Sequence, residues 1–183
     1  MTAHIRKWSM AACLLLILAP WAATAPAGAA EDLPTLTVKA LHSQDVYAPG
    51  GSYPLALEIT VRPGFHINTH QPKEPDLYPT KVKLIGTPEL VLAAPAFPPA
   101  KTYKPGFSPT PLEVFDGVFL VRTTLTVTKQ AIPGPGQVSA LVEFQACDDQ
   151  ACLMPEIADL AIPLTVAKPG QTAKPLNPGV FKK

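Results

Sequence analysis

Proline sets the first limit on what this chain can fold into. It carries 23 prolines among 183 residues. A ring that fixes φ and removes the backbone donor breaks helix interiors but is tolerated at strand starts, edges and turns. The expectation is an all-β domain with long connections. The hydrophobic pattern agrees: Leu55, Leu57, Ile59 and Val61 alternate with Ala56, Glu58 and Thr60, which places one face of a strand in a core. Further strand candidates are 36–41, 65–68, 80–85, two pieces of 112–127 around Asp116-Gly117, and 138–147. A last strand begins at Cys152 and runs through Leu160, Ile162, Leu164 and Val166. Turn signals lie at 47–52, Pro63-Gly64 and 132–136. Seven or eight short strands so punctuated predict an immunoglobulin-like two-sheet β-sandwich.

The first thirty residues read as an export signal. Arg6 and Lys7 supply a positive start, Met10 to Trp21 an apolar run too short to span a bilayer comfortably, and Ala27-Gly28-Ala29-Ala30 small residues for cleavage. The expected organisation is a signal peptide over 1–30, one domain over 31–167 and a flexible tail rich in proline, lysine and glycine over 168–183. The style of the signal is bacterial, which places the mature protein in the periplasm. Without Arg6 and Lys7 the chain has 13 basic against 14 acidic residues. No basic block points to nucleic acid as a partner.

Cys13 falls within the signal, so Cys147 and Cys152 are the cysteine pair of the mature chain. They bracket Asp148-Asp149-Gln150-Ala151, a common hairpin-loop length. Outside the cytoplasm the pair is expected to rest as a disulfide. Two readings stay open from spacing: a structural staple or a redox-active bond. Closing so short a loop removes little unfolded-state entropy, which weakens stability as the reason for it. The proline-rich stretch 93–111 carries Phe97, Tyr103 and Phe107, more aromatic surface than a disordered linker has, and reads as an ordered flap packed over something. His66 and His70 with the two cysteines resemble a zinc set in composition, but the histidines lie in a proline-flanked loop. His66 reads better as a lining of the cysteine pocket and His70 as solvated. Asp148 and Asp149 lack the other oxygen ligands of a calcium loop. No metal or cofactor is expected, and no nucleophile elbow or phosphate loop is present.

Four stretches then resemble a known family: Gly64-Phe65-His66-Ile67-Asn68, Tyr78-Pro79-Thr80, Phe97-Pro98-Pro99-Ala100-Lys101 through Phe107, and Phe144-Gln145-Ala146-Cys147-Asp148-Asp149-Gln150-Ala151-Cys152-Leu153. Together they resemble the amino-terminal periplasmic domain of the thiol:disulfide interchange protein DsbD. The resemblance implies a redox cysteine hairpin on an immunoglobulin-like sandwich, with 101–111 as a cap loop and Tyr103 or Phe107 as its shielding aromatic. It implies that His66 and Asn68 line the pocket, that Cys152 is the attacking sulfur and that Cys147 resolves the mixed disulfide. The partners it implies are a thioredoxin-like protein or a membrane electron-transfer protein, supplied in trans because the chain shows neither element itself, and oxidised periplasmic proteins as acceptors. The acidic Asp148-Asp149-Gln150 replaces the glycine- and tyrosine-containing hairpin of the family, and carboxylates beside Cys147 disfavour its thiolate. The apolar Leu153-Met154-Pro155 after Cys152 offers a docking edge. The competing functions are a binding module with a structural disulfide and a metal-handling accessory protein.

Overall fold

Where apolar and polar residues alternate, the chain forms strands. The structure, a computed structural model, describes residues 34–106 and 108–182; the expected signal peptide, Cys13 and Phe107 lie outside the described residues. The strands in chain order are β1 (Leu36–His42), β2 (Ser52–Val61), β3 (His66–Asn68), β4 (Lys81–Ile85), β5 (Leu90–Leu92), β6 (Lys101–Tyr103), β7 (Leu112–Phe115), β8 (Val118–Val127), β9 (Gly134–Phe144), β10 (Ala146–Cys147) and β11 (Glu156–Val166). In β2 the predicted apolar set, Leu55, Leu57, Ile59 and Val61, is buried.

Two antiparallel sheets make the sandwich. One has the order β1-β2-β8-β5 and the other β11-β9-β4. Lettered A to G in chain order, these seven strands are A-B-E-D and G-F-C, the strand order of a constant-type immunoglobulin domain. The inner faces share one buried cluster, with Leu57, Ile59, Val121 and Leu125 from the first sheet and Val138, Val142, Phe144 and Ile162 from the second. The ladders β2–β8 (Ser52↔Thr126 to Thr60↔Val118) and β9–β11 (Phe144↔Glu156 to Gly134↔Val166) form the backbone of the two sheets.

The other four strands build a third sheet, in the order β10-β3-β7-β6. By chain position β3 lies in the B–C connection, β6 and β7 in the D–E connection and β10 in the F–G connection. Successive antiparallel strands bring these three connections to one end of the sandwich, and here they hydrogen-bond to each other. A type II turn starts this sheet: Pro63 supplies the fixed φ, Gly64 the positive one (φ 87°), and the Phe65 N–H donates to the Arg62 carbonyl at 3.0 Å. That turn lifts the chain off β2 and aims His66 into β3.

Several boundaries differ from the sequence reading. β5 was not foreseen, being only three residues long and next to Pro88. The proline-rich stretch 93–111 contributes the short strand β6 and an isolated bridge, Ala96↔Arg122. The expected strand 138–147 is broken at Gln145, and the last strand begins at Glu156, not at Cys152. Pro155 has no N–H to give to a ladder there. Residues 168–182, expected to fray, carry contacts to β1 and to the chain just after it: Leu176 N–H to the Ser43 carbonyl at 2.8 Å and Asn177 Nδ2 to the His42 carbonyl at 2.9 Å.

Leu57 is fully enclosed between the sheets. Leu57→Ala should destabilise the fold by about 3 kcal/mol in urea unfolding, whereas Lys83→Ala on the exposed face of β4 should change it by under about 0.5 kcal/mol.

Candidate functional site

The cysteine hairpin grows out of the β9–β11 ladder but slips against it. The ladder ends at Phe144↔Glu156, and the next bridge is Cys147↔Cys152. Between them two residues, Gln145 and Ala146, face three, Leu153, Met154 and Pro155. This is a β-bulge, which bends a strand and re-aims the residues beyond it. Gln145 closes the gap with its side chain, Nε2 donating to the Leu153 carbonyl at 2.9 Å, and the Leu153 N–H reaches the Ala146 carbonyl at 2.8 Å. The bend lets β10 leave the second sheet and pair with β3, as Ala146↔Ile67 and Cys147↔His66.

Beyond the bulge the two cysteines are bonded, with Cα atoms 3.9 Å apart. The intervening loop is held by Asp148. Its N–H donates to the Ala151 carbonyl at 2.9 Å, and its carboxylate accepts the N–H groups of Gln150 and Ala151, both at 2.8 Å. An aspartate that hydrogen-bonds the backbone two residues on is a recurrent turn-former. The two cysteines are unequally placed: Cys147 is buried, at 1 % exposure, while Cys152 is exposed. Leu153, Met154 and Ile157, the last two 81 % and 65 % exposed, form an apolar margin on the Cys152 side of the hairpin.

Loop 101–111 lies against the hairpin through β6. The Tyr103 ring meets the His66 ring at 4.7 Å between centroids, and its hydroxyl donates to Asp149. That bond raises the Tyr103 phenol above its ordinary pKa. Lys101, at the other end of β6, pairs with Asp116 in the turn between β7 and β8. Gly106 passes so near the hairpin that an added Cβ would stand 3.1 Å from the Asp149 carbonyl oxygen. Farther back, the segment is anchored by an aromatic row: Phe97 stacks on His70 at 4.3 Å and lies 5.8 Å from Phe115, which stacks on Phe119 at 4.7 Å.

Gly64, Phe65, His66, Tyr103, Asp116 and Asp149 line a cleft of about 210 Å³ at this end. His66 is 4 % exposed, and its Nε2 has no hydrogen-bond partner. Burial holds its pKa below the ordinary histidine value, against the opposing pull of Asp149, Asp116 and Asp148.

The structure therefore brings together Cys147, Cys152, His66 and Tyr103. Asn68, two residues along β3, lies outside the lining of the cleft. Its Nδ2 donates to the Tyr78 carbonyl at 3.0 Å and its backbone carbonyl accepts the Thr80 hydroxyl, which closes the neck of loop 69–80. His70 packs flat on Phe97. Asp149, Asp116, Lys101 and Gly106 were not singled out as site residues from sequence. The Asp148 turn had a local signal, a carboxylate opening a four-residue loop. The Tyr103–Asp149 contact joins residues 46 positions apart and had none.

No family model and no curated protein matches the chain. Among solved structures it is similar to the N-terminal periplasmic domain of ScsB from Proteus mirabilis, with 12 % identity, a TM-score of 0.47 and coverage of 74 % of this chain and 48 % of that one. It spans about half the length of that structure. It is also similar to the N-terminal domain of DsbD from Neisseria meningitidis in its reduced form, with 13 % identity, a TM-score of 0.39 and coverage of 76 % and 90 %. A third similar structure is AvmM, described as catalysing macrocyclization in alchivemycin A biosynthesis, with 13 % identity and a TM-score of 0.35 over 73 % of this chain and 90 % of that one.

The hairpin loop generates a pH prediction. The N–H groups of Ala151 and Gln150 hold the Asp148 carboxyl below its ordinary value of 3.8. A depressed carboxyl pKa stabilises the fold fully at pH values above the ordinary one, and the contribution is lost as pH falls through the depressed value. The amide resonances of Gln150 and Ala151 should titrate together with a midpoint below 3.8, and Asp148→Ala should abolish that titration. A midpoint at or above the ordinary value would contradict the capped loop.

Proposed function

We propose that this protein is a periplasmic thiol–disulfide exchange protein that passes electrons from a thioredoxin-like or membrane-bound donor to oxidised proteins through a reversible Cys147–Cys152 disulfide. The observation that carries the reading is the asymmetry of the bond: one cysteine is buried and the other exposed, at the tip of a bulged hairpin held by two other loops. A staple for the fold does not require an exposed cysteine, whereas exchange needs one sulfur open to attack and a second one close behind it.

In the reduced protein the Cys152 thiolate attacks a target disulfide. One target sulfur leaves as a thiolate and a mixed disulfide forms on Cys152. The Cys147 thiol loses its proton and attacks the Cys152 sulfur; the second target sulfur leaves, and two electrons have moved to the target. A donor dithiol then attacks Cys152, Cys147 departs as a thiolate, and the donor's second sulfur completes the reduction. Leu153, Met154 and Ile157 give the partner an apolar margin beside Cys152. Loop 101–111 acts as the cap, with Tyr103 or Phe107 as its shielding aromatic. The export signal read at 1–30 supports the periplasmic address.

Cys147→Ala should accumulate a mixed disulfide with a thioredoxin-like protein, and mass spectrometry should place the bond on Cys152. Cys152→Ala should trap at least tenfold less, on the order of the loss expected when the remaining thiol is buried. Trapping through Cys147 instead would reverse the roles, and no adduct from either variant would contradict exchange.

A further inference from the structure

The buried imidazole of His66 has no role in the exchange steps of Cys147 and Cys152, and its surroundings give it one. Buried polar groups in folded proteins are nearly always hydrogen-bonded, so an orphaned one points to a partner present in another state. Only three buried side-chain atoms among the described residues lack a partner: Ser43 Oγ, Asn68 Oδ1 and His66 Nε2. His66 stands directly opposite Cys147 in the β3–β10 ladder, and residues directly opposite share a face with neighbouring Cβ atoms. In the disulfide the Cys147 sulfur carries no proton and offers no donor. Reduction turns it into a thiol, and a donor then exists beside the unpaired nitrogen.

We propose that His66 accepts the proton of the Cys147 thiol as that sulfur closes the disulfide. The inference rests on the proposed exchange function. In the resting state the imidazole is neutral, with Nε2 open to receive a proton. During closure the Cys147 S–H proton passes to His66 Nε2. The Cys147 thiolate forms a bond to the Cys152 sulfur, the bond from Cys152 to the partner sulfur breaks, and that sulfur leaves as a thiolate. The imidazolium then releases its proton to the departing sulfur or to water in the cleft, and His66 is neutral again.

The groups around the ring suit this task. Tyr103 packs on one side, held in turn by Asp149. Asp149, Asp116 and Asp148 all favour the cationic form electrostatically, so they stabilise the transient imidazolium. Lys101 offsets part of the Asp116 charge through its ion pair. The same carboxylates oppose a free Cys147 thiolate, which makes a local proton acceptor useful at this sulfur and unnecessary at exposed Cys152.

The size of the effect is bounded. A thiol of ordinary pKa near 8.5 is about 3 % ionised at pH 7, and one opposed by carboxylates less, so assistance has at least about thirtyfold to gain there. The test uses reduced protein and oxidised glutathione in single turnover, following first the Cys152–glutathione adduct and then its closure. Closure at pH 7 should be about tenfold slower in His66→Gln, and its rate should keep climbing with pH to at least about 8.5, the ordinary thiol pKa. Adduct formation should be little changed. In wild-type protein the His66 Nε2 resonance should shift on reduction, a readout that needs no variant to fold. Closure within twofold of wild type at every pH, or an Nε2 resonance unmoved by reduction, overturns the role of His66 while adduct formation leaves exchange standing. A wild-type pair that forms no adduct overturns both.

Discussion

A one-residue mismatch between β9 and β11 governs the functional end of this molecule. Had the ladder continued past Phe144↔Glu156 in register, the chain through Cys147 would have remained an extension of the sandwich, beside β4. The side-chain period of a strand is two, so a single inserted residue also changes which face each side chain takes. With Leu153-Met154-Pro155 set against Gln145-Ala146, β10 instead crosses to β3 and places Cys147 opposite His66. Every further feature of the site depends on that crossing. The bulge makes the hairpin tip part of a sheet whose other strands belong to different loops.

The resulting division of labour comes from ordinary packing. The sandwich core is apolar and continuous, and it supplies rigid ends to which three connections are attached. Those connections would be costly to order singly; hydrogen-bonded to each other they order together. Burial then falls unevenly on the two cysteines: Cys147 lies in a ladder with β3, while Cys152 is bridged to Cys147 and exposed. Loop 101–111 reaches the hairpin by a polar link from Tyr103 to Asp149, and the β7–β8 turn by one from Lys101 to Asp116. Both are exposed, and contacts of that kind are individually weak.

Sequence periodicity carried the sandwich well because its strands are half-buried. Leu55 to Val61 could be assigned from alternation alone, and so could Leu160 to Val166. The third sheet was hidden because β3, β6 and β10 are two or three residues long, too short for any period to show. Gln145 looked like one more polar position in a strand; only the pairing shows it to be the point where the strand changes sheets. The cysteines, His66 and Tyr103 stood out by residue type, and the fold gathers them within one site. Asn68 belongs to the same motif yet serves the neck of loop 69–80. Asp149 drew notice only as a carboxylate beside Cys147, since its partner Tyr103 lies far away in the chain. The contacts of loop 101–111 with Asp149 and Asp116 became visible only with the loops assembled.

The most direct test of the account is the reduction potential of the Cys147–Cys152 pair in the folded protein, from equilibration with defined thiol–disulfide buffers. Structural disulfides of exported proteins have potentials below about −300 mV, whereas exposed exchange pairs lie higher. The account predicts a two-electron transition above about −300 mV that is fully reversible while the fold persists. A pair that stays oxidised below that potential, or opens only when the protein unfolds, would contradict it.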